Sequence, residues 1–255
     1  MAKKSNVNIP AIQIIRLIVF LFLGLILFSI YSKTNEFLTS SELFRVHDVV
    51  IDPSIRFIDV SELRRLKGRN IFSVDITKLQ ARIKAQYPQI SDLQVMRDLP
   101  DRIRVLAKKR DALFQTPVKG RVLLVDADGV AMYYVNEPVD VPVVRGALPA
   151  PAKVVLGAPL AAKPVVVATG IMRGFRSHPR TASLKVASVD VENLSKITVL
   201  LASGMKVILD GDNYTRKLDV LEMMMAQKKV DFTQVKYVDL RFTEPVLGEN
   251  NENPG

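Results

Sequence analysis

Hydrophobic and polar positions change their spacing twice along the chain, and the changes divide it into three regions. The first is almost continuously apolar: "AIQIIRLIVFLFLGLILFSIY", Ala11 to Tyr31. Ile12 to Tyr31 is 20 residues, a helix of about 30 Å, which is the thickness of a bilayer core. Arg16 is its one charge and lies about one turn from the end, where a guanidinium can extend to the headgroups.

The second region alternates short stripes of both periods. "FRVHDVVID", Phe44 to Asp52, is rich in β-branched residues and predicts a strand. Asp59 offers an N-cap with Glu62 three residues on, Leu63 and Leu66 give a short apolar stripe, and Gly68 is a stop. Asp75 caps a second helix whose buried face is Leu79, Ile83 and Tyr87, and Pro88 ends it. Leu93 and Val95, then Ile103, Val105 and Ala107, alternate with polar residues on either side of the turn Asp98-Leu99-Pro100-Asp101. The order β-α-α-β-β predicts a small sheet covered by two helices.

The third region is β-rich. "GRVLLVDADGVAMYYV" predicts a hairpin, Val122–Val125 with Val130–Tyr134. A helix is expected over about Pro164–Phe175, weakened by Gly170 and Gly174. Strands follow near 184–189, 197–201 and 205–209, and Tyr214, Leu218, Leu221 and Met225 mark an amphipathic helix. The last strand is "YVDLRF", with Val238, Leu240 and Phe242 on one side and Tyr237, Asp239 and Arg241 on the other. So little chain follows that one edge of this strand is expected to be partly vacant. The fold class is therefore α+β, with boundaries at 1–11 (cytoplasmic tail), 12–31 (transmembrane helix), 32–43 (linker), 44–111, 112–246 and 247–255 (disordered tail).

Charge adds direction. The Ser29-Ile30-Tyr31 end of the apolar run puts a bulky ring where a signal peptidase needs a small residue, so a retained anchor is favoured over a cleaved signal. Lys3, Lys4 and Arg16 lie on one side, whereas Lys33 and Glu36 nearly cancel on the other, which places the N-terminus in the cytoplasm. The net charge of +10 lies mostly in the second region, alternating with apolar residues as on a solvated face. No nucleic-acid motif accompanies it.

Candidate chemistry is thin. With no cysteine, thiolate sites and disulfides are excluded, and the two histidines, His47 and His178, are far apart in sequence. His178 reads as an exposed loop residue. Asp126-Ala127-Asp128-Gly129 has the opening of a calcium loop, but Val130, Met132 and Tyr134 occupy positions that need oxygen ligands, so a solvated turn is favoured. Met223-Met224-Met225 sits at helical spacing within a core stripe and not a copper site. No phosphate loop, nucleophile elbow or acid–base pair is nominated, so neither an enzyme nor a cofactor is expected.

The words of the second region carry a resemblance. Asn70, Ile71, Phe72, Asp75, Pro88, Ile90, Val95, Arg97, Pro100, Ile103 and Val105 match the anchors of a POTRA domain. The match departs at Asp52-Pro53, where a glycine is usual, and at Lys108-Lys109-Arg110, which replaces an acidic residue. "LLVDADGV", "ITVLLASGMKVILDG" and "YVDLRF" resemble the β-domain of the bacterial division family FtsQ, also called DivIB. The order of anchor, single POTRA module and β-domain strengthens it.

That resemblance implies a non-enzymatic scaffold of the divisome in the bacterial inner membrane, with a periplasmic body at the division septum. It implies partners among small bitopic division proteins of the FtsB and FtsL type, received near the terminal strand. Carried onto this chain, the partner-binding residues are Tyr237, Asp239, Arg241 and Phe242. The rival readings are a POTRA-containing outer-membrane assembly or secretion factor, which usually repeats the module before a barrel, and an envelope hydrolase.

Overall fold

A computed structural model describes residues 11–55, 57, 59–148, 153–227 and 231–249. Their contacts form two compact units, one of residues up to Arg82 with Leu93–Ala107, the other of Ile83–Asp92 with the residues from Lys108 onward.

In the first unit the apolar run forms one helix, α1 (Ala11–Ser40). It does not stop at Tyr31: the residues expected to be a linker continue the helix to Ser40, because Ser32–Ser40 contains neither proline nor glycine. Its stretch Ile15–Ser40 is long and apolar enough to cross a membrane. A single turn, Glu42–Phe44, precedes β1 (Asp48–Ile51), so the first strand is shorter than its β-branched run. The missing first residues are used otherwise, with Arg45 bridging to Asn70 and the Val46 N–H donating to the Arg69 carbonyl at 2.9 Å.

Asp59 caps α2 (Val60–Arg64) by accepting from the Ser61 N–H at 2.9 Å, and Asp75 caps α3 (Ile76–Gln86) through the Lys78 N–H at 3.0 Å. The strands β2 (Ile90–Asp98) and β3 (Arg102–Lys109) complete a sheet of order β1-β3-β2, with β1 parallel to β3. Leu63, Leu66, Ile71, Leu79, Leu93, Val95, Ile103 and Val105 are buried, at about 1.5–3 kcal/mol for each large side chain. The β-α-α-β-β order is the one read from the sequence.

The second unit is built on a nine-stranded sheet among the described residues. Its strands are β4 (Ala112–Val118), β5 (Arg121–Asp126), β6 (Ala131–Val135), β7 (Val143–Arg145), β8 (Val186–Asp190), β9 (Ile197–Leu201), β10 (Lys206–Leu209), β11 (Val235–Asp239) and β12 (Val246–Glu249). Their order across the sheet is β12-β11-β10-β9-β8-β7-β4-β5-β6.

Two helices, α4 (Lys163–Ser177) and α5 (Tyr214–Ala226), contribute Val165, Ile171, Phe175, Leu218 and Leu221 to the same apolar core as Val189, Val199, Val207 and Val238 of the sheet. Gly170 and Gly174 do not break α4. A Cβ on Gly170 would strike the Tyr214 ring, and one on Gly174 would strike Leu218, so the glycines form the notch into which α5 packs. Because β10 and β11 are parallel, the chain must cross over between them, and α5 is that crossover.

A candidate partner-binding edge at the chain end

The terminal strand of the sequence reading is internal. Strand β11 pairs with β10 in parallel and with β12 in antiparallel register, so the vacant edge expected beside it is filled by the chain's own last strand. Val246–Glu249 therefore belongs to the sheet and not to a tail; residues 250–255 lie outside the described residues. Strand β12 ends the sheet order on this side, as β6 does on the other, and among the described residues no strand pairs with its outer backbone edge.

The four candidate residues stand together at the end of β11, but in different settings. Tyr237 lies opposite Gly248, and its half-buried ring covers that glycine so closely that a Cβ there would collide with it. Tyr237 thus secures β12 to β11. Asp239, read as outward-facing, is buried at 6% exposure. Its carboxylate accepts from the Arg241 N–H at 3.0 Å and from the guanidinium at 3.0, 3.2 and 2.7 Å. Burial pushes this carboxyl up, but the Arg241 hydrogen bonds and charge outweigh it and hold the group below its usual value. The same pairing, led by the hydrogen bond to Asp239, raises the Arg241 guanidinium.

This lock turns the chain out of the strand after Asp239. The alternation consequently fails at its last step: Val238 and Leu240 are buried, whereas Phe242 is 58% exposed. The Arg241 guanidinium sits 5.5 Å from the Phe242 ring centre, within cation–π range. Lys217 of α5 pairs with Asp210 and reaches the Arg241 carbonyl at 3.4 Å, tying the helix to the strand end. Between them is a cleft of about 350 Å³ lined by Arg216, Val220, Phe242 and Pro245 among others. Arg216, Pro245 and the β12 edge were not singled out from the sequence, since nothing local marks a residue whose role is set by a strand returning from beyond it.

Other expectations change as well. His178 is not a loop residue in solvent: it ends α4, with Nδ1 2.8 Å from the Gly174 carbonyl and Nε2 2.8 Å from Asp219 of α5. These two acceptors, Gly174 first, raise its pKa above the ordinary histidine value. Asp126 is buried and not solvated. One of its oxygens accepts from the N–H groups of Asp128 and Val130 at 2.9 and 2.8 Å, while the other pairs with Arg110, the last of the three basic residues that depart from the POTRA pattern. The turn itself has Gly129 at φ 74°, as its sequence requires. Met224 and Met225 pack against the core, with Met223 exposed. Among the described residues no three His, Asp or Glu side chains converge as metal ligands.

Two family models match the chain in the same order as its two domains. Residues 54–108 match the model of the POTRA domain, FtsQ-type, and residues 112–241 match that of cell division protein FtsQ/DivIB, C-terminal. A relative named cell division protein FtsQ, from Koribacter versatilis (strain Ellin345), is 24% identical over 205 residues, covering 76% of this chain and 57% of that protein. The chain thus spans little more than half the length of that relative. A solved structure of the major extracytoplasmic domain of the trans isomer of division protein DivIB from Geobacillus stearothermophilus overlaps 49% of this chain and 99% of its own, at 11% identity and a TM-score of 0.27. The C-terminal family model alone takes in half of the sequence, and with the POTRA module placed directly before it the chain belongs to the FtsQ/DivIB family of cell-division proteins.

Proposed function

We propose that the protein is a non-enzymatic scaffold of the division machinery, held at the septum of the inner membrane by α1 with its N-terminus in the cytoplasm. Its family supplies the process, cell division. The basic residues before the apolar helix supply the orientation. The observation that supports the mode of action is the position of β12 as an end strand of the large sheet, beside the cleft that Phe242 lines.

A small bitopic division protein of the FtsB or FtsL type adds a strand to β12. Backbone hydrogen bonds then give affinity, and side chains seated beside the strand give selectivity. Phe242 is the contact residue of the four, as an exposed aromatic at the mouth of the cleft. Tyr237, Asp239 and Arg241 act one step back, keeping β12 and the turn in place. Arg216 in the cleft suits an acidic side chain on the partner.

Capture of membrane partners tests this reading. The full chain is expected to retain a small single-span protein that a chain ending at Pro245 loses, with circular dichroism unchanged. Equal retention by both chains would move the binding site away from this edge.

A further inference from the structure

The end of the first unit next to α1 leaves large apolar side chains open to solvent. Phe37 near the end of α1 is 57% exposed, Leu43 57% and Phe72 37%. Phe37 and Phe72 belong to one patch through Phe44, which Leu43 immediately precedes in the chain. Phe37 meets Phe44 edge to face with ring centres 5.9 Å apart, and Phe44 meets Phe72 at 5.2 Å. Asn70 fastens the patch to the helix: its amide donates to the Leu38 and Thr39 carbonyls at 2.7 and 2.9 Å, and its oxygen accepts from the Phe72 N–H at 2.9 Å. The last carbonyls of a helix lack partners within it, so these bonds cap α1 and fix the loop carrying Phe72 against the helix end. Single exposed apolar residues are ordinary, but a contiguous group marks a surface that meets something.

Position along α1 identifies what it meets. The uncharged apolar run ends at Tyr31, just before Lys33, and Phe37 is six residues further, about 9 Å along the axis. The headgroup layer outside the bilayer core is about 5–8 Å deep. Helix side chains lean back towards the helix N-terminus, and on this helix that direction is towards the bilayer. The Phe37 ring therefore enters the headgroup layer, and the Asn70 clamp brings Phe72 to the same level. Arg45 and Arg69, both exposed, flank Asn70 and can donate to lipid phosphates. Glu36 and Glu42 offset part of that charge, so the apolar side chains provide most of the attachment.

We propose that this end of the POTRA module is a lipid-contact surface, with Phe37, Leu43 and Phe72 in the outer headgroup layer and Arg45 and Arg69 on its phosphates. The proposal rests on α1 being a membrane span. It makes the module lie on the bilayer and not swing from it.

Because the sequence contains no Trp, single-Trp variants of the full-length chain report without background. Each is placed in phosphatidylcholine nanodiscs with or without bromine on the upper acyl chain. F72W and L43W are expected to lose fluorescence to the brominated lipid and to emit further to the blue. Leu43 enters no ring pair among Phe37, Phe44 and Phe72, so L43W also guards against disturbance of that stack by F72W. L106W, at a half-exposed site on β3 about 13 Å beyond Arg102, is expected to be unquenched. F20W, within the apolar helix, reports the span itself. Quenching of F20W with F72W and L43W no more quenched than L106W overturns the proposal and leaves the span intact. An unquenched F20W overturns the span, and the proposal with it.

Discussion

Asp239 depends on one neighbour two positions away, and the end of β11 depends on Asp239. Replacing Arg241 by Met leaves a buried carboxylate without its guanidinium and is expected to cost about 1–3 kcal/mol of stability. The double change Asp239→Asn with Arg241→Met is expected to cost less than the two single changes added, which denaturant unfolding of the four proteins measures. Because folding lowers the Asp239 pKa, this contribution is present above the ordinary aspartate value and fades only as pH falls through the lowered one. His178 works in the opposite sense. Its folded pKa is raised, so its contribution is full below about 6.5, the ordinary value, and is lost as pH climbs through the folded value. The thermal midpoint is expected to fall as pH rises from about 6.5 through the raised folded value, and His178→Asn is expected to flatten that fall. These roles were only half legible. The sequence shows which residues alternate, but not that a carboxylate will cap the turn and push Phe242 to the outside, nor that α5 will bring Asp219 to His178.

At the scale of elements, the notch in α4 is the feature most open to test. Gly174→Val places branched bulk where Leu218 already sits and is expected to cost about 1–3 kcal/mol, partly recovered by Leu218→Ala. A smaller loss for Gly174→Val in the wild-type background than alongside Leu218→Ala would contradict this packing. Sequence reading took the two glycines as weak helix positions, since propensity is local and the space they vacate is tertiary. It found β9 at its full length and α5 by its stripe, because both keep a regular period. It missed β4, where a register shift between Ala112 and Phe114 makes Leu113 and Phe114 both buried, and where Gln115 is buried to bond Val139 and Val141. It also missed β7, three residues long, and β12, whose "VLGE" is too short to show a pattern.

For the whole molecule the order of parts was the most legible property: one long apolar helix, one POTRA module, one large mixed sheet. That order depends on periods and lengths that survive in the sequence, whereas the identity of the end strand beside β11 depends on the residues that follow it. The proposed partner strand would add to the β12 edge, which the Tyr237–Gly248 contact and the Asp239–Arg241 lock hold in place. A photo-crosslinking amino acid at Val246, which is 44% exposed on β12, tests this in dividing cells. The account predicts a cross-link to a small single-span division protein from Val246 and none from Val166, an exposed position on α4. No cross-link from Val246, with the same protein captured from Val166, would contradict it.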